Sequence, residues 1–173
     1  MTTLVKNKVQ VQANIFNQSK NLVVNSVMEM ALEIAHKRNL DPFYLLSRRK
    51  IIEEGMYVWL HEKMLQEIML EVSLSGSGSA LERYDFIFEY HDTPDLDVHQ
   101  APTPELGRFC ETLKSLPPGS SYRILARVAP GAKEVPGWRP TTLKDLKPTT
   151  EQRLGDVGYG HIAGQVFYRG GTW

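Results

Sequence analysis

The sequence predicts an α+β fold, an antiparallel sheet covered by three helices, and three observations carry that prediction. Apolar residues recur at helical spacing over 17–38, 44–62 and 103–115. They recur at every second position over 68–74, 81–90 and 121–128, and the alternation resumes near the end of the chain. The first two of these strands are joined by SGSGS, residues 75–79, a stretch too flexible for anything but a hairpin connection. Hairpin-linked strands with apolar faces need helices laid over them, which is the α+β arrangement.

Val9, Val11, Ala13 and Ile15 alternate with polar residues, so a short strand is expected over 9–16. Asn17 or Ser19 then caps a helix that runs to about Arg38. Its stripe is Val24, Val27, Met28, Ala31, Leu32 and Ala35, and Asn39 with Asp41-Pro42 stops it. The second helix turns Ile51, Ile52, Met56, Trp59 and Leu60 inward and the Arg48-Arg49-Lys50 run outward, as a solvated face. Gly55 in its middle costs about 1 kcal/mol relative to Ala.

The period then becomes two. Ile68, Leu70, Val72 and Leu74 form one strand face, and Tyr84, Phe86, Phe88 and Tyr90 form an aromatic face that requires cover. HDTPDLDVHQAPTP, residues 91–104, reads as a proline-broken acidic loop. Thr103 as N-cap, Pro104 and Glu105 open the third helix, whose stripe is Leu106, Phe109, Cys110 and Leu113. LPPGS ends it. SYRILARV, residues 121–128, places Tyr122, Ile124, Ala126 and Val128 on one strand face, and APG and VPGW are turns. From Arg139 the chain is polar until Ile162, Gly164, Val166 and Tyr168 alternate again.

Twenty basic residues balance twenty acidic ones, so the broad positive surface that holds a phosphate backbone is missing and no nucleic-acid partner is expected. No stretch approaches the roughly 18 apolar residues of a membrane span, so no membrane partner is expected either. The single cysteine and the lack of a basic-then-apolar leader lead us to expect a cytoplasmic protein.

Chemistry is sparse. His91, Asp92, Asp95, Asp97 and His99 are possible metal ligands and leave open a small metal-dependent hydrolase, but their spacing fits no recognised site and nothing opposite supplies a base. GDVGYG, residues 155–160, has the glycines of a phosphate-cradling loop without the helix that must follow one. Cys110 lies on an apolar stripe, as a buried small hydrophobe does, and His36, His61 and His161 have no evident partner. No catalytic residue, metal or cofactor is expected, and the chain reads as a binding protein rather than an enzyme.

LERYDFIFEY, residues 81–90, carries a resemblance. A strand opening on L-E-R-aromatic-x-F is similar to that of HORMA domains, the fold of the spindle-checkpoint and meiotic-axis adaptors. The order of the two early helices, the SGSGS hairpin, the strand SYRILARV, the VPGW element and the Thr-rich approach to a last strand continues the likeness from about residue 10. Tyr84 stands where the family more often has tryptophan. The NLDPF ending of the first helix and the PGAKEVPGW to GYGHIAGQVFYR finish most resemble the bacterial branch, found in CBASS anti-phage systems. There the HORMA protein stands beside a cGAS-like nucleotidyltransferase, which makes a cyclic oligonucleotide, and an AAA+ remodelling ATPase.

The resemblance implies one domain, with an N-terminal segment over 1–16, a core over 17–138 and a safety belt over 139–173. It implies capture of a closure-motif peptide as an added strand beneath that belt, with no cofactor. Tyr122, Ile124, Ala126 and Val128 would be the receiving edge, and Leu106, Phe109 and Leu113 the floor. Tyr159, His161, Ile162, Val166 and Phe167 would be belt residues over the peptide. The closed form would activate the nucleotidyltransferase, and residues 1–16 would be the handle by which the ATPase reopens it. The alternative within the family is a second HORMA protein that presents its own motif, for instance in TTLVKNKVQV, to a partner. Many of the apolar residues named are also what a plain core requires.

Overall fold

The computed structural model describes residues 2–171 and 173. Two helices, α1 (Thr2–Lys37) and α2 (Phe43–His61), precede the hairpin of β1 (Leu65–Leu74) and β2 (Ala80–His99). Then come α3 (Thr103–Thr112), β3 (Ser120–Val128) and β4 (Pro148–Gly171). The sheet is antiparallel in the order β3-β1-β2-β4, so the α+β expectation holds with three helices against four strands.

Period-two alternation sorts the sheet into two unlike faces. Ile68, Leu70 and Val72 of β1 line up with Tyr84 and Phe86 of β2, with Tyr122 and Ile124 of β3, and, across β2, with Val166 and Tyr168 of β4. That face is buried with Val24, Val27, Met28 and Ile34 of α1 and Ile52, Met56 and Leu60 of α2 in one core. The other face carries Glu67, Glu71, Asp85 and Arg83, all buried yet paired: Arg83 with Asp85 at 2.6 Å, Arg123 with Glu71 at 2.7 Å, Arg127 with Glu67 at 2.8 Å. Burial outweighs these neighbours at Glu67 and raises its carboxyl above the usual range.

Several elements depart from expectation. Residues 9–16 are not a strand; they belong to α1, a helix of 36 residues. An isolated strand leaves its backbone groups without partners, whereas a helix satisfies them internally and here simply extends the buried part of α1 outward. Val11 and Ala13 are exposed, while Ile15 and Phe16 are half-buried; the side chain of Val9 lies outside the described residues. Nor is 91–104 wholly a loop. β2 continues to His99 because β4 pairs with it there, Asp95 opposite Gly160 and His99 opposite Gly158. Pro94 is tolerated because it falls where the register shifts between Tyr90 and Asp95. α3 is also shorter than expected: Leu113 is already extended, at ψ 149°.

One charged pair lies inside the helix-covered face. Arg38, after α1, donates to both oxygens of Glu82 at 2.7 and 2.9 Å and to the Lys114 carbonyl at 2.8 Å. The Tyr84 hydroxyl donates to Glu82 at 3.1 Å, and Tyr168 of β4 reaches the same carboxylate at 3.4 Å. Glu82→Ala leaves a guanidinium buried without its carboxylate, and urea denaturation is expected to show a loss of about 3–5 kcal/mol. The double variant Arg38→Met with Glu82→Leu recovers most of that. A single-variant loss below about 1 kcal/mol, the value of an exposed pair, would contradict the assignment.

Candidate functional site

The site begins with an edge. β3 is the outermost strand, paired with β1 on its inner side and, among the described residues, with no strand on its outer side. The N–H of Ile124 points outward and donates to the Tyr44 hydroxyl at 3.3 Å. By the alternation of an antiparallel ladder, Ala126 presents its backbone groups on that same outer side.

Beyond Val128 the chain must travel from this edge to β4 at the opposite one, and it does so along the outer side of β3. It is first tied to α2. Trp59 donates through Nε1 to the Lys133 carbonyl at 2.7 Å, and Trp138 through Nε1 to the Ile51 carbonyl at 3.0 Å. The two indoles stack edge-on, 5.0 Å apart. Gly137, at φ 89°, lies against Ile51, so both the turn and the contact require glycine there. Gly55 has a matching reason: a Cβ would strike the Trp138 indole. What the sequence presents as a helix defect is the seat of an aromatic clamp.

This connection, a strap over residues 129–147, then lands on the charged face of the sheet. The Arg123 guanidinium donates to Thr141 Oγ1 at 3.2 Å and the Thr142 carbonyl at 2.6 Å. The Lys144 N–H donates to Glu71 Oε2 at 3.0 Å, and Lys144 Nζ to Ser73 Oγ at 2.8 Å. Asp145 pairs with the tip of the β1–β2 hairpin, accepting from Ala80 N–H at 2.7 Å. Strap, α2 and β3 together enclose a trough of about 1110 Å³, with Tyr44, Ile52 and Trp59 on one wall and Ile124, Ala126 and Val128 along the edge.

Of the four expected edge residues, Ile124, Ala126 and Val128 line the trough, whereas Tyr122 lies on the same strand as an anchor. Its hydroxyl donates to the Asp41 carbonyl at 2.7 Å, its ring meets Tyr44 edge-on at 5.3 Å, and burial pushes its phenol up to about 12. The other two expected sets lie elsewhere. Ile162, Val166 and Phe167 pair with Tyr90, Phe86 and Asp85 of β2, so two strands separate them from β3. His161 donates its N–H to Ser19 Oγ of α1 at 3.2 Å, and its ring meets Phe16 at 6.2 Å. Tyr159 lines a smaller cavity of about 400 Å³ between β2 and β4. Leu106 is buried, Phe109 stacks on Tyr168 of β4 at 5.0 Å, and Leu113 is part-buried beside the same core. Leu106, Phe109 and Leu113 do not line the β3 trough; α3 packs on α1 and the β4 side because the tyrosine face of β2 and β4 is what its stripe covers.

Trp59, Trp138, Tyr44 and the Arg123–Glu71 pair escaped the sequence reading of the site. The signals were VPGW beside a helix-interior Gly55, and charged residues alternating through both β1 and β3. At the acidic segment, His99 Nε2 lies 3.1 Å from Asp95 Oδ2 at the surface. Among the described residues no three His, Cys, Asp or Glu side chains converge to hold a metal. GDVGYG lies within β4. Cys110 is buried against Tyr84, and burial pushes its thiol up to about 11.

A family model described as bacterial HORMA domain 2 matches residues 8–170. No curated protein matches the chain in sequence. Among solved structures, a chain of the mitotic checkpoint complex is 14% identical, with a TM-score of 0.71 covering 89% of this chain and 99% of that one. C. elegans HTP-2 bound to HTP-3 closure motif 1 is 15% identical, at TM-score 0.70, covering 89% and 86%. A chain of the E. coli MS115-1 CdnC:HORMA-deltaN complex is 9% identical, at TM-score 0.63, covering 90% and 89%. At such identities the likeness is one of fold.

Two measurements test this geometry. Trp138→Ala removes the clamp, and amide exchange over 132–143 is expected to quicken by an order of magnitude or more while that of β1 and β2 is unchanged. Tyr122 has a folded pKa raised from 10.0 to about 12, so its stabilisation is present below pH 10 and is lost as pH rises towards 12. Melting temperature should fall across that window, and by less in Tyr122→Phe.

Proposed function

The chain belongs to the bacterial HORMA domain 2 family, and on that premise we propose that it is a peptide-capturing adaptor rather than an enzyme. The observation that carries the reading is an edge strand, β3, lying under a strap tied down on both sides of it. An extended closure-motif segment entering the trough adds as a fifth strand. Main-chain hydrogen bonds to the outer side of β3 supply affinity, and alternate side chains enter the trough. Each such bond contributes about 0.5–1.5 kcal/mol net, so a short strand binds modestly by pairing alone. The strap changes the kinetics: release requires undoing the Trp59–Trp138 clamp or the Arg123 and Lys144 contacts, and affinity is then held mainly in a slow off-rate.

Two finer parts of the proposal rest on separate support. The E. coli relative is seen with CdnC, and a cGAS-like nucleotidyltransferase is our proposed partner of the peptide-bound form. An AAA+ ATPase pulling on residues 1–16 is the proposed means of reopening. Its support is mechanical: Ser19 of α1 holds the His161 N–H of β4, and Gly160 lies against Ile15 and Ser19, so tension on α1 is delivered directly to β4.

The test leaves the buried residues of β4 in place. Removing everything after Asp156 would also take Val157, Ile162, Val166 and Tyr168 out of the core, so loss of capture would be ambiguous. Ala126→Pro instead removes one outward N–H from an edge strand, where proline is tolerated. Panned against a phage-displayed random-peptide library, the wild-type chain is expected to retain peptides with slow release. Ala126→Pro, with an unchanged circular dichroism spectrum, should retain none of them. Equal retention by the variant would remove β3 as the receiving edge.

A further inference from the structure

The trough has a charge character that the strand-addition reading leaves unused. Its charged lining consists of Arg48, Arg127, Lys133, Glu134 and Arg139. Two of the cations are already neutralised: Arg127 by Glu67 at 2.8 Å and Lys133 by Glu62 at 2.6 Å. Arg48 lies over the Tyr44 ring at 5.4 Å, and neither it nor Arg139 has a carboxylate partner among the described residues. Glu134 is likewise without a cationic partner there, so the surplus is one positive charge.

Both arginines line the trough on either side of the clamp. Arg48 precedes Ile51 by one turn of α2, and Arg139 follows Trp138, whose indole is bonded to the Ile51 carbonyl. One stands on the fixed wall and the other on the strap. The same wall carries the aromatic and aliphatic surface of Tyr44, Ile52 and Trp59. In an added strand, residues two apart point to one side, so one peptide can present a bulky apolar residue to that surface and its i±2 neighbour to the arginines.

Resting on the capture reading above, we propose that the trough selects extended peptides carrying an Asp or Glu two positions from a bulky apolar residue, with Arg48 and Arg139 as the specificity-determining pair. A carboxylate between them binds strap to α2, so the same side chain that is recognised also holds the strap down. Recognition and retention are then one interaction, and a peptide lacking the acid is both weaker and quicker to leave.

The experiment is the random-peptide selection on the full chain, repeated with R48E/R139E. Both arginines are exposed, so the reversal is expected to keep the wild-type melting temperature. Peptides enriched by the wild type should share an acidic position two residues from an aromatic or large aliphatic one. In a synthetic peptide of that sequence, Asp→Asn or Glu→Gln should weaken binding about fivefold, the scale of a partly exposed pair. R48E/R139E should instead enrich Lys or Arg at that position. Peptides sharing the apolar position without an acid, or an enrichment unaltered by the reversal, would overturn this inference and leave strand capture standing. Enrichment of nothing by the wild type would overturn both.

Discussion

The pairing of Arg38 with Glu82 is the constraint on which the rest of this molecule depends. A carboxylate and a guanidinium are withdrawn from water there, a cost that is offset only if every remaining donor and acceptor is placed. Meeting that condition fixes four pieces of chain at once. α1 must end where Arg38 reaches β2; the segment after α3 must bring the Lys114 carbonyl to 2.8 Å; β2 must turn Glu82 inward; and β4 must slide until Tyr168 lies beside Tyr84. The motif LERY now has a physical reading. In a strand, Glu82 and Arg83 necessarily face opposite sides of the sheet. Glu82 completes the core under α1, while Arg83 joins Asp85 and, through it, Arg169 at 3.3 Å on the charged side.

That charged side is what makes the strap possible. A sheet with two apolar faces would demand a second layer of helices; this one instead offers buried carboxylates and a serine to a passing backbone. Glu71 takes Arg123 on one oxygen and the Lys144 N–H on the other, so one side chain links the edge strand to the strap that crosses it. The opposite end of the strap is held by aromatic contact, Trp59 against Trp138. An exposed edge strand is a pairing hazard, and an arch over it restricts access to what can be threaded or enclosed.

Legibility in the sequence followed locality. The buried stripes of α1 from Val23 on, of α2, and the alternation of β1, β2 and β3 are set by nearest neighbours, and they stand where the periodicity places them. The stretch 9–16 failed because Val-Gln alternation suits a strand only if a partner exists, and partnership is decided elsewhere in the chain. The segment 91–99 failed for the converse reason: its acidic, proline-containing sequence is poor strand material, yet β4 arrives to pair with it. The site was split in the same way. The residues of β3 were readable as an edge, but nothing local in Ile162, Val166 or Phe167 says whether β4 joins β3 or β2. The tyrosine pair 84 and 168 around Glu82 is a long-range contact that accompanies the pairing with β2.

The glycine-studded end of the chain is thereby placed inside the structure rather than on its margin. Ile162, Val166 and Tyr168 are almost wholly buried, and burying each such side chain contributes about 1.5–3 kcal/mol. Detaching β4 therefore costs several of these terms together, besides its ladder with β2 and the loss of Tyr168 from Glu82. Such a strand does not leave by thermal fraying. On the reading proposed above, an enclosed peptide stays enclosed because the strap's far anchor is a core strand, and opening requires work applied where β4 is held from outside the sheet. Gly160, at φ 66°, is where the backbone of β4 comes against Ile15 and Ser19, and the neighbouring His161 N–H is bonded to Ser19. α1 continues on the N-terminal side of Ile15 as helix, in place of the short strand expected there, so on the proposed reading a pull on α1 bears on that contact.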